Sequence, residues 1–436
     1  MYRWRAMAGQ STSAALRAEA EMKASIRRSA IFASAAALVI AVCGTTGTAQ
    51  ADPGDGELQF GYVLPETGQL AYLGPPQIES LKFAIEKIND AGGVLGKSVP
   101  TVVSSDEAGQ EAVAAQSADR VLAAGVDAIV GAAASGMSLA FIDRVTGAGV
   151  VQCSGSNTAP TFTDYEDDGF YFRTVPSDAL QGPILADVVR DDGHDRVALV
   201  ARADDYGRGL MEATRKTLEE RGATVTLAET YDPKASNFDQ VVQQMENSRP
   251  DAAVVIAFEE GTQILQGMIE SGLGPDQIGV YGADGLRSEE LPSLVAPGQP
   301  ERLSGMKGTA PASASNEQYV KDLQEFAPDL KELQFAPQVF DCATTIALAA
   351  EKAESDDPGE YVKEMNGITK DGEKCNSFAA CKELLADGRD IDYDGVSGPL
   401  DFTDKGEPGQ ASIEVYGYDD EGKLQTLRTE TSRAEE

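Results

Sequence analysis

Short apolar segments alternate with amphipathic segments along the chain from Leu58 onward. "LQFGYVLP" is an apolar run of strand length, and "PPQIESLKFAIEKINDAGG" has the apolar spacing of a helix. Its apolar residues recur on one helical face, namely Ile78, Leu81, Ile85 and Ile88. Gly92 and Gly93 come after this face, and glycine commonly ends a helix. This part of the chain therefore predicts a strand followed by a helix.

The same alternation occurs in two successive series. The first ends at the strand "VVQCS", and the second starts after "FYFRTVPS" and ends at "IGVYGAD". Strands that alternate with helices form parallel sheets covered by helices. We therefore predict an α/β protein with two doubly wound parallel-sheet (Rossmann-like) lobes joined by a three-segment hinge. The predicted bounds are 58–174 plus 308–405 for lobe I and 175–307 plus 406–436 for lobe II, after a flexible linker at 52–57.

Local patterns give more specific predictions. "SGMSLAFIDRVTGAG" predicts one helix with Ser135 as its N-cap, and "GPILADVVRDDG" predicts a helix that starts beside Pro183. After "GMKGTAPA" the chain predicts two further helices and a final hairpin in "ASIEVYGYDDEGKLQTL". These later elements are expected to complete the two lobes without forming a sheet of their own.

Residues 1–51 are predicted to form an N-terminal extension and a signal peptide. "MKASIRRSAIFASAAALVIAVCGTTGTAQADPGDG", which starts at Met22, has basic residues, then a short apolar run, then small residues. Cleavage after Ala51 would release a soluble protein, whereas the pattern before Cys43 resembles a lipoprotein box. We therefore expect an extracytoplasmic protein, either released or lipidated at Cys43.

Composition excludes several classes of protein. The 436 residues carry 36 Lys and Arg against 71 Asp and Glu, a formal net charge of −35. Nucleic-acid binding normally requires a basic surface, so we expect no nucleic-acid partner. Such a self-repelling acidic surface favours a monomer.

Export places the cysteines in a compartment where disulfides persist. Cys375 and Cys381 flank the polar stretch "NSFAA", which predicts a local disulfide. Cys153 and Cys342 are the remaining candidates for a pair, and the sequence does not establish that they are close. Neither a CxxC motif nor zinc-ligand spacing occurs, so we expect no metal and no cofactor.

The candidate binding residues follow the predicted strands. In an open α/β sheet, ligands bind beyond the carboxyl ends of the strands. Ser135 follows "VDAIVGAA", while Asn157 and Thr158 follow "VVQCS", and their hydroxyl and N–H groups suit a carboxylate. In the second series Tyr206 and Asp284 follow strands, and the Asp284 carboxylate suits an ammonium group. The chain therefore predicts a zwitterion held between two lobes.

Several strings make the chain resemble the leucine/isoleucine/valine (branched-chain amino acid)-binding family of type I periplasmic binding proteins, the substrate-binding proteins of ABC transporters. They are "TGQLAYLGPPQIESLKFAIEKINDAGGVLGK", "SNTAPTFT", "FYFRTVPSDALQGP" and "DYGRG". The resemblance covers Leu58 to the C-terminus. It implies that the protein binds an amino acid, with the branched-chain type as first candidate or a related small carboxylate or amide, and presents it to a membrane permease without chemistry.

The resemblance also implies roles for individual residues. Ser135 and Thr158, with Asn157 beside them, match residues that hold the ligand carboxylate and help to hold its ammonium. Tyr206 matches a binding tyrosine, and Asp284 matches the acidic residue that receives the ammonium. That residue is glutamate in the leucine-type receptors, so the carboxylate here is one methylene shorter.

Aromatic contacts are implied as well. Phe258 matches an aromatic on the loop of the third strand of the second series. An aromatic on the first loop of the chain matches Leu73 or its neighbour Tyr72. A leucine at that place weakens the argument for a branched-chain ligand.

Two alternatives from other classes remain open. A sensory or regulatory ligand-binding protein would share the fold, and an exported hydrolase is disfavoured because His194 is the single histidine of the chain. His194 precedes a strand and so lies away from the predicted cleft. "DIDYDGVSGPLD" has the acidic spacing of a calcium loop, but it lacks the final glutamate and a following helix, so we expect no calcium site there.

Overall fold

The computed structural model describes residues 54–312 and 316–433. All of them belong to one compact unit, Thr48–Glu436. The predicted signal peptide, the candidate lipidation site Cys43 and residues 52 and 53 of the predicted linker lie outside the described residues.

The first series forms five strands and four helices. The strands are β1 (Phe60–Leu64), β2 (Val103–Asp106), β3 (Ala128–Gly131), β4 (Val151–Ser154) and β5 (Tyr171–Arg173). The helices are α1 (Gly74–Asp90), α2 (Glu111–Leu122), α3 (Ser135–Leu139) and α4 (Ile142–Thr146). The strands form a parallel sheet in the order β2-β1-β3-β4-β5.

The second series starts at α5 (Asp178–Asp191) and contains the next five strands. They are β6 (Arg196–Arg202), β7 (Thr224–Tyr231), β8 (Ala252–Ile256), β9 (Gly279–Gly282) and β10 (Lys307–Pro311). The helices between them are α6 (Asp205–Glu220), α7 (Asp239–Ser248), α8 (Gly261–Glu270) and α9 (Leu291–Val295).

The last part of the chain contributes to both lobes. Its helices are α10 (Glu317–Phe326), α11 (Ala336–Ala353), α12 (Pro358–Tyr361) and α13 (Phe378–Ala386). Its strands are β11 (Glu373–Cys375), β12 (Ile391–Gly395), β13 (Gly398–Pro399), β14 (Gln410–Tyr418) and β15 (Leu424–Arg433). Strands β14 and β15 form the predicted hairpin and extend the second sheet, whose order is β15-β14-β10-β9-β8-β6-β7.

One parallel sheet and one sheet that is parallel except for the β14–β15 hairpin, each with apolar side chains on both faces, confirm the predicted α/β fold of two doubly wound lobes. One core cluster fills the outer face of the first sheet and includes Val63 and Ile129, and another fills the outer face of the second sheet and includes Val255 and Val280. The largest cluster contains residues of both lobes, such as Val130 and Val254. The cores of the two lobes are therefore continuous with each other.

The structure corrects the predicted lobe bounds. Strand β10 pairs with β9 and β14, so residues 308–311 belong to the second sheet although the prediction placed them in lobe I. The main-chain oxygen of Gly406 accepts a hydrogen bond from the Arg173 N–H at 3.0 Å, which attaches Gly406 to the first sheet rather than to lobe II. The three crossings between lobes therefore fall after Arg173, after Pro311 and before Gln410.

Three local predictions are also wrong. "SGMSLAFIDRVTGAG" forms two short helices, and Ala134 is the N-cap of the first, so Ser135 begins the helix. The predicted linker is anchored at residues 56 and 57, whose N–H groups donate to Asp356 Oδ2 at 2.5 and 2.7 Å. Strands β11, β12 and β13 form a small separate sheet where none was expected.

Both candidate disulfides are present. Cys375–Cys381 closes a short loop, and Cys153–Cys342 joins β4 to α11 across a sequence separation of 189 residues. The Cys153–Cys342 bond therefore fixes the strand that leads into the predicted binding loop 155–158.

Candidate functional site

The loops that follow β3 and β4 form the lobe I side of the cleft. Ser135 and Thr158 are 2 % and 1 % exposed. The Ser135 Oγ accepts a hydrogen bond from the Ala159 N–H at 3.3 Å, which leaves its own hydroxyl hydrogen to donate. The Thr158 hydroxyl is buried without a hydrogen-bond partner among the described residues. These two hydroxyls are the polar side-chain groups that the loops after β3 and β4 offer to a ligand.

Asn157 holds this loop together instead of facing the cleft with free donors. Its Nδ2 donates to the main-chain oxygens of Ala132 and Ala133 at 3.0 and 2.9 Å, and its Oδ1 accepts from the Tyr171 hydroxyl at 3.0 Å. Both amide hydrogens are thus used within lobe I. These contacts give Asn157 a positioning role in the loop, and its predicted contact with the ligand stays a prediction.

Asp284 lies at the end of β9 in the second lobe and is 4 % exposed. Its Oδ1 accepts hydrogen bonds from the Tyr206 hydroxyl at 2.8 Å and from Gln181 Nε2 at 3.0 Å. Burial raises the pKa of Asp284 to about 6, although these hydrogen bonds favour the ionised form. A buried carboxylate without a cationic partner is a strong acceptor for an ammonium group.

A second carboxyl group, Asp178, lies beside Asp284. Asp178 is fully buried at the start of α5, and neither of its carboxyl oxygens has a hydrogen-bond partner among the described residues. Burial and then the charge of Asp284 raise the pKa of Asp178, and the nearby Thr158 hydroxyl opposes this shift without reaching hydrogen-bond geometry. The cleft therefore contains two carboxyl groups that favour a shared positive charge.

Aromatic side chains form one wall of the cleft. Tyr206 projects from the first turn of α6, which Asp204 caps by accepting from the Gly207 N–H at 2.9 Å. Its ring stacks on Phe258 with 5.2 Å between centroids, and the Arg202 guanidinium carbon lies 3.5 Å from the Phe258 ring centroid. Phe258 is therefore held in a fixed position between neighbours as a rigid apolar surface.

Tyr72 and Leu73 lie where the lobe I loop after β1 reaches the cleft. Leu73 is 2 % exposed, so it supplies apolar surface. The Tyr72 hydroxyl donates to the main-chain oxygen of Gly285 in lobe II at 2.9 Å. Tyr72 thus joins the lobes directly beside Asp284.

Further contacts join the two lobes around the cleft. Gln69 Nε2 of lobe I donates to the Pro233 oxygen at 2.9 Å, and an Arg287–Glu332 ion pair of 3.2 Å connects the lobes on another side. Gly209 of α6 approaches Pro160 so closely that a Cβ there would lie 2.6 Å from Pro160 Cδ. The lobes are therefore in a closed arrangement.

Three residues around Asp284 were missed by the sequence analysis: Asp178, Gln181 and Gln334. Asp178 and Gln181 are three positions apart on one face of α5. They were overlooked because Pro183 was expected at the helix start, whereas the helix begins at Asp178 and contains Pro183 in its interior. Gln334 gave no local signal, because its place beside Asp284 depends on how the lobes meet.

His194 and the acidic segment 390–401 lie away from these residues. The His194 ring packs on Tyr281 with 5.9 Å between centroids, near the amino end of the second sheet. Asp392 and Asp394 pair with Lys374 at 2.8 and 2.9 Å within the small sheet. Within residues 54–312 and 316–433, no group of three or more His, Cys, Asp and Glu is arranged to hold a metal ion.

Comparison with known proteins identifies the family of this chain. The "Periplasmic binding protein" family matches residues 57–423, which is most of the chain. The chain belongs to the periplasmic binding proteins. No helix in the described part has both the length and the apolar character needed to cross a membrane.

Curated relatives and solved structures agree with this family. The "Leu/Ile/Val-binding protein homolog 3" of Brucella melitensis is 24% identical over 387 residues, 88% of this chain and 97% of the relative. The "Leucine-, isoleucine-, valine-, threonine-, and alanine-binding protein" of Pseudomonas aeruginosa is 25% identical over 312 residues, 70% of this chain and 81% of the relative. The substrate-binding protein LivJ of Streptococcus pneumoniae, solved with isoleucine, shares the fold with a TM-score of 0.70 and 23% identity, covering 87% of this chain and 100% of LivJ.

Proposed function

We propose that this periplasmic binding protein is the extracytoplasmic substrate-binding protein of an ABC importer and that it binds an α-amino acid between its lobes. The observation that carries the proposal is the buried Asp178–Asp284 pair opposite the Ser135 and Thr158 hydroxyls. A zwitterion has one group for each side of this cleft. Several of the relatives carry names that refer to Leu/Ile/Val binding, and these names support the same class of ligand.

The ammonium group is assigned to the carboxylate side. It has three N–H donors, and Asp284, Asp178 and the Thr158 hydroxyl are acceptors in one place. Its positive charge offsets the repulsion between the two buried carboxylates. Without it, closing the lobes leaves both carboxyl groups buried and uncompensated, which is costly.

The carboxylate group is assigned to lobe I. The Ser135 hydroxyl is available to donate, and the first-turn N–H groups of α3 add their partial positive charge. Phe258, Tyr206, Tyr72 and Leu73 then contact the rest of the ligand. Branched-chain amino acids are the first candidates for this surface on the evidence of the relatives.

Closure follows from this division of contacts. Neither lobe holds both charged ends of the ligand, so full binding occurs only when the lobes meet. The ligand therefore favours the closed state by its greater affinity for that state. A membrane permease would then recognise the closed form, and no chemical step on the ligand is required.

A thermal-shift screen of the purified protein tests the proposed ligand class. The panel contains the common L-amino acids, small amides, urea and aromatic acids. We expect at least one amino acid to raise the melting temperature in a concentration-dependent way, because a ligand of the native state stabilises it by mass action. A panel in which no amino acid shifts the melting temperature would contradict the proposal.

Two measurements on cells or on protein from cells test the proposed transport role and the processing of the N-terminus. Uptake of the bound amino acid in a deletion strain separates a transport role from a sensory role, since only the former lowers uptake. Mass spectrometry of the native N-terminus separates cleavage after Ala51 from a lipidated Cys43.

A further inference from the structure

The polar atoms around Asp284 set a condition on the ligand side chain. Four buried acceptor atoms there have no hydrogen-bond partner among the described residues: Asp178 Oδ1 and Oδ2, Gln181 Oε1 and Gln334 Oε1. Asp178, Gln181 and Gln334 are each at most 1 % exposed. A buried acceptor without a donor destabilises the folded state, so these atoms favour a ligand that supplies donors.

The orientation of the two glutamine amides is fixed by their nitrogen atoms. Gln181 Nε2 donates to Asp284 Oδ1 at 3.0 Å and to the Thr309 oxygen at 3.4 Å. Gln334 Nε2 donates across the cleft to the main-chain oxygen of Asp284 at 2.9 Å. Turning either amide would place oxygen against oxygen. Both amide oxygens are therefore the ends left to accept.

An ammonium group alone has too few donors for these atoms. It supplies three N–H groups, whereas the site contains the four atoms named above and Asp284 itself. With Asp178 ionised, the Thr158 hydroxyl adds one donor to the three N–H groups, which makes four donors for five acceptors. The ligand carboxylate adds only acceptors. A second donor group on the ligand would supply the missing hydrogen bond.

We propose that the ligand carries a hydroxyl, amide or amino group on its side chain and that Gln181 Oε1 and Gln334 Oε1 receive it. This inference rests on the proposed function, because it assumes an amino acid with its ammonium at Asp284. It makes Gln334, which reaches from lobe I to lobe II, a specificity-determining residue. Among β-branched side chains it favours threonine over valine.

Calorimetric titration with isosteric ligand pairs tests the inference on the unmodified protein. L-Threonine and L-valine differ by a hydroxyl for a methyl, and L-asparagine and L-leucine by an amide for an isopropyl group. We expect the donor-bearing member of at least one pair to bind at least about tenfold more tightly, because a site that hydrogen-bonds its substrate rejects the apolar analogue.

The other outcomes separate the two claims. If valine and leucine bind as tightly as their donor-bearing partners or more tightly, the inference is wrong and the amino-acid-binding function stands. If no amino acid binds, both are wrong.

The variant Gln334→Met tests whether Gln334 Oε1 receives the donor group of the ligand. Methionine keeps the length of the side chain and removes the acceptor, so the difference within each pair should shrink to about threefold or less. Gln266→Met, on the exposed face of α8, is the matched control and should keep the full difference. A full difference in Gln334→Met would overturn the role of Gln334, and the wild-type titrations remain decisive if this variant does not fold.

Discussion

The two sides of the cleft are built in different ways. On lobe I, the loop that contains Asn157 is tied by buried hydrogen bonds to its neighbours, and the Cys153–Cys342 disulfide anchors the strand before it. On lobe II, Asp178 and Asp284 are buried carboxyl groups with raised pKa values, and no Lys, Arg or His among the described residues forms an ion pair with either of them. The Asn157 loop is thus held by bonds within the protein, whereas the charge of the lobe II carboxyl groups is left for a ligand to compensate.

Because of this difference, the two sides of the cleft contribute differently to the stability of the protein and to its affinity for the ligand. Groups that are satisfied within the native protein contribute to its stability whether or not ligand is bound. Buried carboxylates do the opposite, since the ligand-free native state bears their desolvation and the complex recovers it. We therefore expect substitutions in the internally bonded scaffold of lobe I to reduce stability more than affinity, and substitutions of the lobe II carboxyl groups to reduce affinity more than stability.

The largest effect on affinity is expected for Asp284→Asn. This change removes the charge that receives the ammonium and should weaken binding of the best amino acid by at least about 100-fold, because breaking a buried ion pair costs about 3–5 kcal/mol. The melting temperature of the ligand-free protein should not fall, since burial disfavours the ionised Asp284 in the native state. Calorimetry and thermal unfolding measure the two effects, with the exposed Asp276→Asn as control. Unchanged affinity would refute the role of Asp284.

The matching test on lobe I removes the disulfide. The double variant Cys153→Ala/Cys342→Ala should lose about 2–5 kcal/mol of unfolding free energy, because the bond closes a long loop in the unfolded chain. Its affinity should change by less than about tenfold, the equivalent of 1.4 kcal/mol. Urea unfolding and calorimetry measure both quantities. Cys375→Ala/Cys381→Ala, which opens a much shorter loop, should lose less stability. Equal losses would show that the chain-entropy argument fails here.

Affinity should also depend on pH through the lobe II carboxyl groups. The pKa of Asp284 is raised to about 6, so the carboxyl group is protonated below that pH and the proton competes with the ammonium. Protonation of Asp284 alone should lower the affinity by about tenfold per pH unit below pH 6. Asp178, whose pKa is also raised, should steepen the dependence. Calorimetry from pH 5 to 8, with circular dichroism to verify folding, measures this, and a flat profile would contradict it.

The smallest effect is expected for Tyr72→Phe. This variant removes the hydrogen bond to Gly285 that forms between the lobes, and it should weaken binding about 2–10-fold without changing ligand-free stability appreciably. Tyr165→Phe is a matched control, because the Tyr165 hydroxyl donates to Asp143 at 2.9 Å within lobe I alone. If both variants bind equally well, the Tyr72 contact does not contribute to closure.

The sequence predicted the lobes and much of the cleft because local patterns carry that information. Apolar periodicity located the parallel strands, and the rule on strand ends led to Ser135, Thr158, Tyr206 and Asp284. The helix start at Asp178 was missed because Pro183 was placed at the start of the helix, whereas the actual N-cap is Ser177, whose Oγ accepts a hydrogen bond from the Ala179 N–H. Gln334 and the scaffold role of Asn157 depend on which groups meet across the fold, and periodicity in the chain does not report that. The second crossing was misplaced because β10 pairs with β14, which lies about 100 residues further along the chain.

The most direct test is a calorimetric comparison of the best-binding amino acid with two truncated analogues. One replaces its ammonium by a hydroxyl group, and the other replaces its carboxylate by hydrogen. Because each lobe is assigned one charged end, each analogue should bind at least about 100-fold more weakly than the amino acid. A 2-hydroxy acid that binds as tightly as the amino acid would contradict the assignment of the ammonium to Asp178 and Asp284.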